Sequence, residues 1–297
     1  MDNVEFETLT SGEFKKYMQT HKEKNYLVID VRQASEYEDG HIPGAKLMPL
    51  SEVETRLFTL PSNRDLIFYC ANGGRSQWAA SLAGEAEVCT KIVYHLMGGM
   101  QAWEGKALSG YPKVRIFDKD QTLETLLATA MNLEKGAWRF YQYAISKFSD
   151  DPIRPTLEQV SIAEKAHATL IYRIWKKFQH NPPPFDRIYQ GLEGEILEGG
   201  HNFEETCRHL DAIRKHGCAS VIDLAMTIEY SAFELYRTMA ERSENSEAQS
   251  TFLSIAQAEK AHMRALTRAL DQCPESQLPS AKAGGLGFKD SRGPGAK

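Results

Sequence analysis

The run Cys70-Ala71-Asn72-Gly73-Gly74-Arg75-Ser76 puts a thiol, a guanidinium and a glycine pair in one short stretch. It follows the apolar run DLIFY and opens a helical segment, so backbone N–H groups should gather around the sulfur. A thiolate held by such amides has a lowered pKa and is a nucleophile at neutral pH. Gly73 and Gly74 let the loop curl without Cβ clashes, and the planar fork of Arg75 suits an oxyanion. Cys70 and Arg75 are the expected catalytic pair, with Ala71, Asn72, Gly73, Gly74 and Ser76 as the substrate-binding loop.

A second constellation lies in the other half of the chain. Glu134 is followed by AEKAH carrying Glu164 and His167, and Glu229 by a second AEKAH carrying Glu259 and His262. Glu134 to Glu229, Glu164 to Glu259 and His167 to His262 share one offset of 95 residues, the mark of an internal duplication. Each residue falls on an apolar stripe of helical period. Leu157, Val160, Glu164, His167, Ile171, Ile174 and Phe178 form one such stripe, and Ile222, Ala225, Glu229, Ala232, Tyr236 and Met239 another. Four helices would thus send carboxylates into one core, at several kcal/mol of desolvation apiece. No lysine or arginine shares the stripes. Two divalent cations would balance four glutamates and leave two neutral imidazoles as donors. The expected metal ligands are therefore Glu134, Glu164, His167, Glu229, Glu259 and His262. Oxygen and imidazole donors favour two iron ions, with manganese the alternative.

These residues need two kinds of scaffold. Tyr26 to Arg32, Asp65 to Cys70 and Lys91 to Leu96 read as buried strands. Helical stretches around Ser35–Glu38, Ser76–Gly84 and Met100–Leu108 alternate with them, which predicts a largely parallel α/β sheet with flanking helices. After Pro112 the pattern changes to long helices at Gln121–Ser149, Thr156–Gln179, Ala219–Arg242 and Glu247–Leu270. Pro182, Pro183, Pro184 and the Gly199–Gly200 pair interrupt the middle, as a long crossover would. This predicts an all-α four-helix bundle of ferritin-like topology. The expected divisions are residues 1–112, a linker at 113–120, the bundle at 121–272 and a disordered tail at 273–297.

With 297 residues, 42% hydrophobic and 25% charged, the chain can bury two cores. The 35 basic and 40 acidic residues leave no basic footprint for nucleic acid. No run approaches the roughly 18 apolar residues of a membrane span, and the N-terminus lacks a signal-peptide pattern, so no membrane partner and a cytoplasmic location are expected. Five cysteines without a CxxC pair give neither a zinc ribbon nor an expected disulfide framework.

The cysteine loop resembles that of rhodanese sulfurtransferases, C-x-x-G-x-R-S/T. The likeness continues through Asp30-Val31-Arg32, Glu36-Tyr37, Gly40-His41-Ile42-Pro43-Gly44-Ala45, Met97-Gly98-Gly99 and Trp103. Cys70 to Arg75 spans six residues, one fewer than related Cys…Arg phosphatase loops, a tighter cradle suited to sulfane sulfur. The resemblance implies a Cys70 persulfide, loaded from thiosulfate or a persulfide and discharged to a thiophilic acceptor such as cyanide or a thiol. The helical half, with its paired ExxH motifs, is similar to the rubrerythrin branch of the ferritin-like superfamily. That likeness implies Glu164 and Glu259 bridging two metals, Glu134 and Glu229 as terminal ligands, and one histidine on each metal. It also implies an electron donor, and dimers, which ferritin-like bundles commonly form. Rubrerythrins usually have a second glutamate where this chain has Ala232, and usually a rubredoxin domain, which the absent CxxC pairs exclude.

The combined expectation is a sulfurtransferase of the thiosulfate class with a di-iron site for peroxide or oxygen chemistry, as in oxidative-stress handling. The alternative is an iron-binding or persulfide-sensing protein whose bundle is non-catalytic. Tyr141 and Tyr236 are expected near the metals as core residues. Asp30 and His41 are expected to tie loops, and Lys165 and Lys260 to point outward. Cys89, Cys207, Cys218 and Cys273 are read as packing or surface residues, with Cys273 beside the tail a lesser candidate sulfur acceptor. Glu198-Gly199-Gly200-His201 has ExxH spacing but a glycine pair inside it, and is read as part of the crossover.

Overall fold

The structure, a computed structural model, describes residues 6–114, 122–148 and 151–273. The expected tail beyond Cys273 and all of the expected linker except Lys113 and Val114 lie outside these residues. The N-terminal half is a five-stranded parallel sheet. Its strands are β1 (Glu7–Leu9), β2 (Tyr26–Asp30), β3 (Lys46–Leu47), β4 (Asp65–Tyr69) and β5 (Val93–Leu96), in the order β1-β5-β4-β2-β3. Helices α1 (Ser11–Thr20), α2 (Ala34–Asp39), α3 (Leu50–Arg56) and α4 (Gly74–Glu85) flank it. Because side chains alternate along a strand, Leu27, Ile29, Leu66 and Phe68 join one apolar cluster, while Tyr26, Val28, Ile67 and Tyr69 join the other. Both faces are covered, so these strands are continuous apolar runs.

The segment expected as a helix at Met100–Leu108 is not one. A 3-10 turn at Gly99–Gln101 gives way to irregular chain, in which the Trp103 indole donates to the Lys106 carbonyl at 2.9 Å. The apolar residues there serve packing beneath the cysteine loop, not a helical stripe.

The C-terminal half holds the four long helices, α5 (Leu123–Lys147), α6 (Arg154–Trp175), α9 (Cys218–Arg242) and α10 (Ser246–Leu270). The crossover between α6 and α9 carries two shorter helices that periodicity did not reveal, α7 (Phe185–Gly191) and α8 (Phe203–Ile213). Caps set the starts: Thr122 accepts from the Thr125 amide before α5, and Asn245 from the Glu247 and Ala248 amides before α10. Helix α6 stops short of the expected Gln179, leaving Phe178 exposed instead of on the core stripe. Two apolar clusters fill the bundle, one including Tyr141, Val160, Ile222 and Leu266, the other Ala130, Ile171, Tyr236 and Phe252. On α5, α6 and α9 the glutamates and histidine of the repeat lie between them in sequence.

Cys218 and Cys273 form a disulfide across 55 residues, contrary to the expectation of unpaired cysteines. The antiparallel helices α9 and α10, each 25 residues long, bring the start of one beside the end of the other. Buried and paired, Cys273 is no mobile sulfur acceptor. Cys70, Cys89 and Cys207 are free.

Candidate functional site

Strand β4 ends at Tyr69 and α4 begins at Gly74, so Cys70 stands at the carboxyl end of an interior strand, where open α/β sheets bind ligands. The loop rests on the Met97-Gly98-Gly99 turn. Met100 and Gln101 donate backbone hydrogen bonds to the carbonyls of Cys70 and Ala71 at 2.8 and 2.9 Å. A Cβ on Gly99 would lie 2.1 Å from the Cys70 carbonyl oxygen, so only glycine permits this approach. The Gly73 amide donates to Cys70 Sγ at 3.1 Å. Burial pushes the Cys70 thiol up, but the Ser76 amide and hydroxyl, with the amides of Asn72 and Gly73, outweigh it and hold the thiol below its ordinary value.

Arg75 is clamped by Glu36, whose carboxylate accepts from both terminal nitrogens at 2.6 and 2.8 Å. That bidentate bond from Arg75 draws Glu36 down to about 2, despite some desolvation. The guanidinium also interacts with the Cys70 sulfur. Glu36 is thus a positioning residue; the sequence motif contained it but assigned it no task. Asp30 and His41 do tie the chain. Asp30 accepts from Arg32 at 2.7 to 3.0 Å, and Arg32 donates to the Gly40 carbonyl. His41 Nδ1 lies 2.9 Å from the Tyr37 carbonyl, and its Nε2 lies 2.7 Å from Glu234 on α9, linking the two halves.

In the bundle, Glu134, Glu164, His167, Glu229, Glu259 and His262 are all buried and converge. One group of ligand atoms comes from Glu134, Glu164 and His167, another from Glu164, Glu229, Glu259 and His262. His167 Nδ1 has carboxylate oxygens of Glu259, Glu164 and Glu134 at 3.2, 3.3 and 3.4 Å, none in hydrogen-bond geometry. His262 Nδ1 lies 2.8 Å from Glu229, 2.9 Å from Glu259 and 3.5 Å from Glu164. Both oxygens of Glu164 and of Glu259 and one of Glu134 are buried without a hydrogen-bond partner. Orphaned carboxylates at that density suit a cation, and these residues could hold metal. Without metal the histidines supply the charge. Burial alone would lower His262, but Glu259, Glu229 and Glu164 push it up to about 12. Glu164 itself is raised to about 7 by burial and by Glu259.

The tyrosines cross the bundle. Tyr141 on α5 donates to Glu229 on α9, and Tyr236 on α9 donates to Glu134 on α5. One further carboxylate was passed over. The glycine pair does break the helix at Glu198–Gly200, as expected, but the turn buries Glu198 completely, with neither oxygen hydrogen-bonded. Burial raises its pKa well above the carboxylate range, as do the charges of Glu134 and Glu164.

The duplicated lysines part company. Lys165 is exposed near Asp186 at 3.3 Å, as expected, whereas Lys260 is buried and pairs with Glu23 of the N-terminal half. Arg237 pairs with the same carboxylate. Their neighbours in sequence are Tyr236 and Glu259, so Glu23 anchors both helices of the second repeat, α9 and α10, to the sheet domain. Among the described residues, no helix is long and apolar enough to cross a membrane.

Comparison with known proteins finds two family matches. The family model for the rhodanese-like domain matches residues 10–106, and that for rubrerythrin residues 220–284. The uncharacterized protein YqhL of Bacillus subtilis is 37% identical over 99 residues, covering 33% of this chain and 73% of that protein. A sulfurtransferase of Allochromatium vinosum is 31% identical over 80 residues, covering 27% of this chain and 73% of that protein. Among solved structures, a rhodanese-like domain protein from Staphylococcus aureus is 28% identical with a TM-score of 0.32, covering 35% of this chain and 98% of that one.

Proposed function

Since this chain belongs to the rhodanese-like family and joins to it a rubrerythrin domain, we propose that it transfers sulfane sulfur through Cys70 and holds a pair of iron ions for redox chemistry in its bundle. The observation that carries the first part is the Cys70 sulfur receiving the Gly73 amide beneath an arginine held in place by Glu36. The Cys70 thiolate attacks the outer sulfur of thiosulfate, forming a Cys70 persulfide while the S–S bond of thiosulfate breaks and sulfite leaves with the electron pair. A thiolate or cyanide then attacks the outer persulfide sulfur and regenerates the Cys70 thiolate. Neither step changes the net redox state. Arg75 and the loop amides stabilise the negative charge on the departing sulfite and on the persulfide.

In the bundle, Glu134, Glu164 and His167 would hold one ion, and Glu164, Glu229, Glu259 and His262 the other. Bound iron would supply one-electron chemistry toward oxygen or peroxide. The chain's own residues exclude water through the two apolar clusters and orient the terminal carboxylates through Tyr141 and Tyr236. Coupling of the two sites rests on Glu23, which ties Lys260 and Arg237 to the sheet domain.

Thiocyanate formation from thiosulfate and cyanide tests the sulfur-transfer part. Wild type should turn over and Cys70→Ser should not; turnover by Cys70→Ser would mean another nucleophile. Oxidation of bound ferrous iron by peroxide, with and without prior thiosulfate loading, tests the coupling. Identical rates would dissociate the two activities.

A further inference from the structure

The crossover between α6 and α9 does more than connect. Helix α5 carries Gly136, two residues past Glu134, where a Cβ would lie 2.2 Å from the Ile196 carbonyl oxygen. On α9, Ser231 receives Gly199, whose own Cβ would lie 2.3 Å from that of Ser231. The crossover backbone is therefore pressed into the groove between the two helices that bear Glu134 and Glu229. In that crossover stands Glu198, wholly buried, both oxygens lacking a hydrogen-bond partner, and within electrostatic reach of Glu134, Glu164 and Glu259. Among the described residues, none makes a hydrogen bond to this fifth carboxylate. The position on α9 next to Ser231 is Ala232, which offers no donor.

On the reading of a metal pair given above, we propose that Glu198 is a seventh metal ligand, delivered by the crossover to the ion held by Glu134 and His167. The bundle then supplies five carboxylates and two imidazoles. Five negative charges exceed the four positive charges of a divalent pair and fall below the six of a trivalent pair, so Glu198 favours the oxidised state. The glycines explain the geometry, since only a chain without side chains at Gly136 and Gly199 can descend far enough to place a carboxylate there.

The test is anaerobic titration of the metal-free full chain with cobalt(II) and with ferrous iron, comparing wild type, Glu198→Gln and Glu198→Ala. Wild type should take up two ions per chain, while both variants should bind one of them at least about 10-fold more weakly, with a changed cobalt absorption spectrum. Where iron still loads, Glu198→Gln should have a higher reduction potential. Metal-free Glu198→Gln should melt at or above the wild-type temperature, because it removes a carboxyl group buried without a hydrogen-bond partner. Unchanged affinities and an unchanged cobalt spectrum in Glu198→Gln, or a lowered metal-free melting temperature with unchanged affinities, would overturn the proposal while leaving the six-ligand site standing. Absence of metal binding by wild type would overturn both.

Discussion

At Cys70 the charge of a thiolate is met by groups already in place: the amides of Asn72, Gly73 and Ser76, the Ser76 hydroxyl, and an arginine fixed by Glu36. Around Glu164 and Glu259 the opposite holds, since four carboxylate oxygens lie buried with no hydrogen-bond donor. One site is electrostatically complete as folded, and the other is proposed to be completed by metal. The difference has a structural origin. A strand–loop–helix turn concentrates N–H dipoles, whereas helices packed side by side bond their own amides internally and offer only side chains to the core.

The contrast is broken most directly at the nucleophile. Cys70→Ser should lower sulfur transfer at least about 10³-fold while leaving metal uptake at the wild-type level; parallel loss of both would show one shared site. Arg75→Ala should lower kcat/KM about 10²-fold or more, the usual scale for losing a donor to a developing anion. Glu36→Gln should cost less, about 10-fold, and act through Arg75, so the double variant should be no worse than Arg75→Ala alone. Equal and additive losses would assign Glu36 a role of its own.

The incomplete site should reveal itself through protons. Metal uptake must displace the proton that keeps His262 charged, so binding should release protons and weaken as pH falls. Without metal, Glu164 is raised from 4.5 to about 7, and a raised group stabilises the fold only while protonated. His262, raised from 6.5 to about 12, works in the same sense above neutrality. The melting temperature of the metal-free protein should therefore fall as pH rises from about 4.5 through 7 and onward. The loaded protein should lack that decline; equal slopes would mean that the carboxylates are neutralised within the chain. The smallest effect expected is at Ser76, where Ser76→Ala should raise the midpoint of the pH dependence of Cys70 alkylation by up to about one unit.

What could be read in the sequence was what is contiguous or periodic. The cysteine loop is contiguous, and its chemistry followed from the order strand, loop, helix. The six glutamates and histidines of the repeat were visible because a carboxylate on an apolar stripe contradicts the stripe. Glu198 contradicts no stripe, being on a 3-10 turn, and its glycine pair disguised it as mere connection. Glu36 acts across 39 residues, and Cys218 meets Cys273 across 55, distances at which spacing carries no signal. Lys260 and Lys165 occupy equivalent positions in the duplication, and only the docking of the sheet domain distinguishes them. Met100–Leu108 failed for the converse reason, as its apolar residues answer to tertiary packing, not to helical period.

The buried carboxylates of the bundle are proposed to await metal. The most direct test is iron content per chain after anaerobic reconstitution with ferrous iron, wild type beside the double variant Glu164→Ala/Glu259→Ala. About two irons are expected in wild type, as in dinuclear carboxylate bundles, and almost none in the variant. Iron absent from both, or bound equally by both, would contradict this proposal and leave a sulfurtransferase domain joined to a helical bundle without a metal centre.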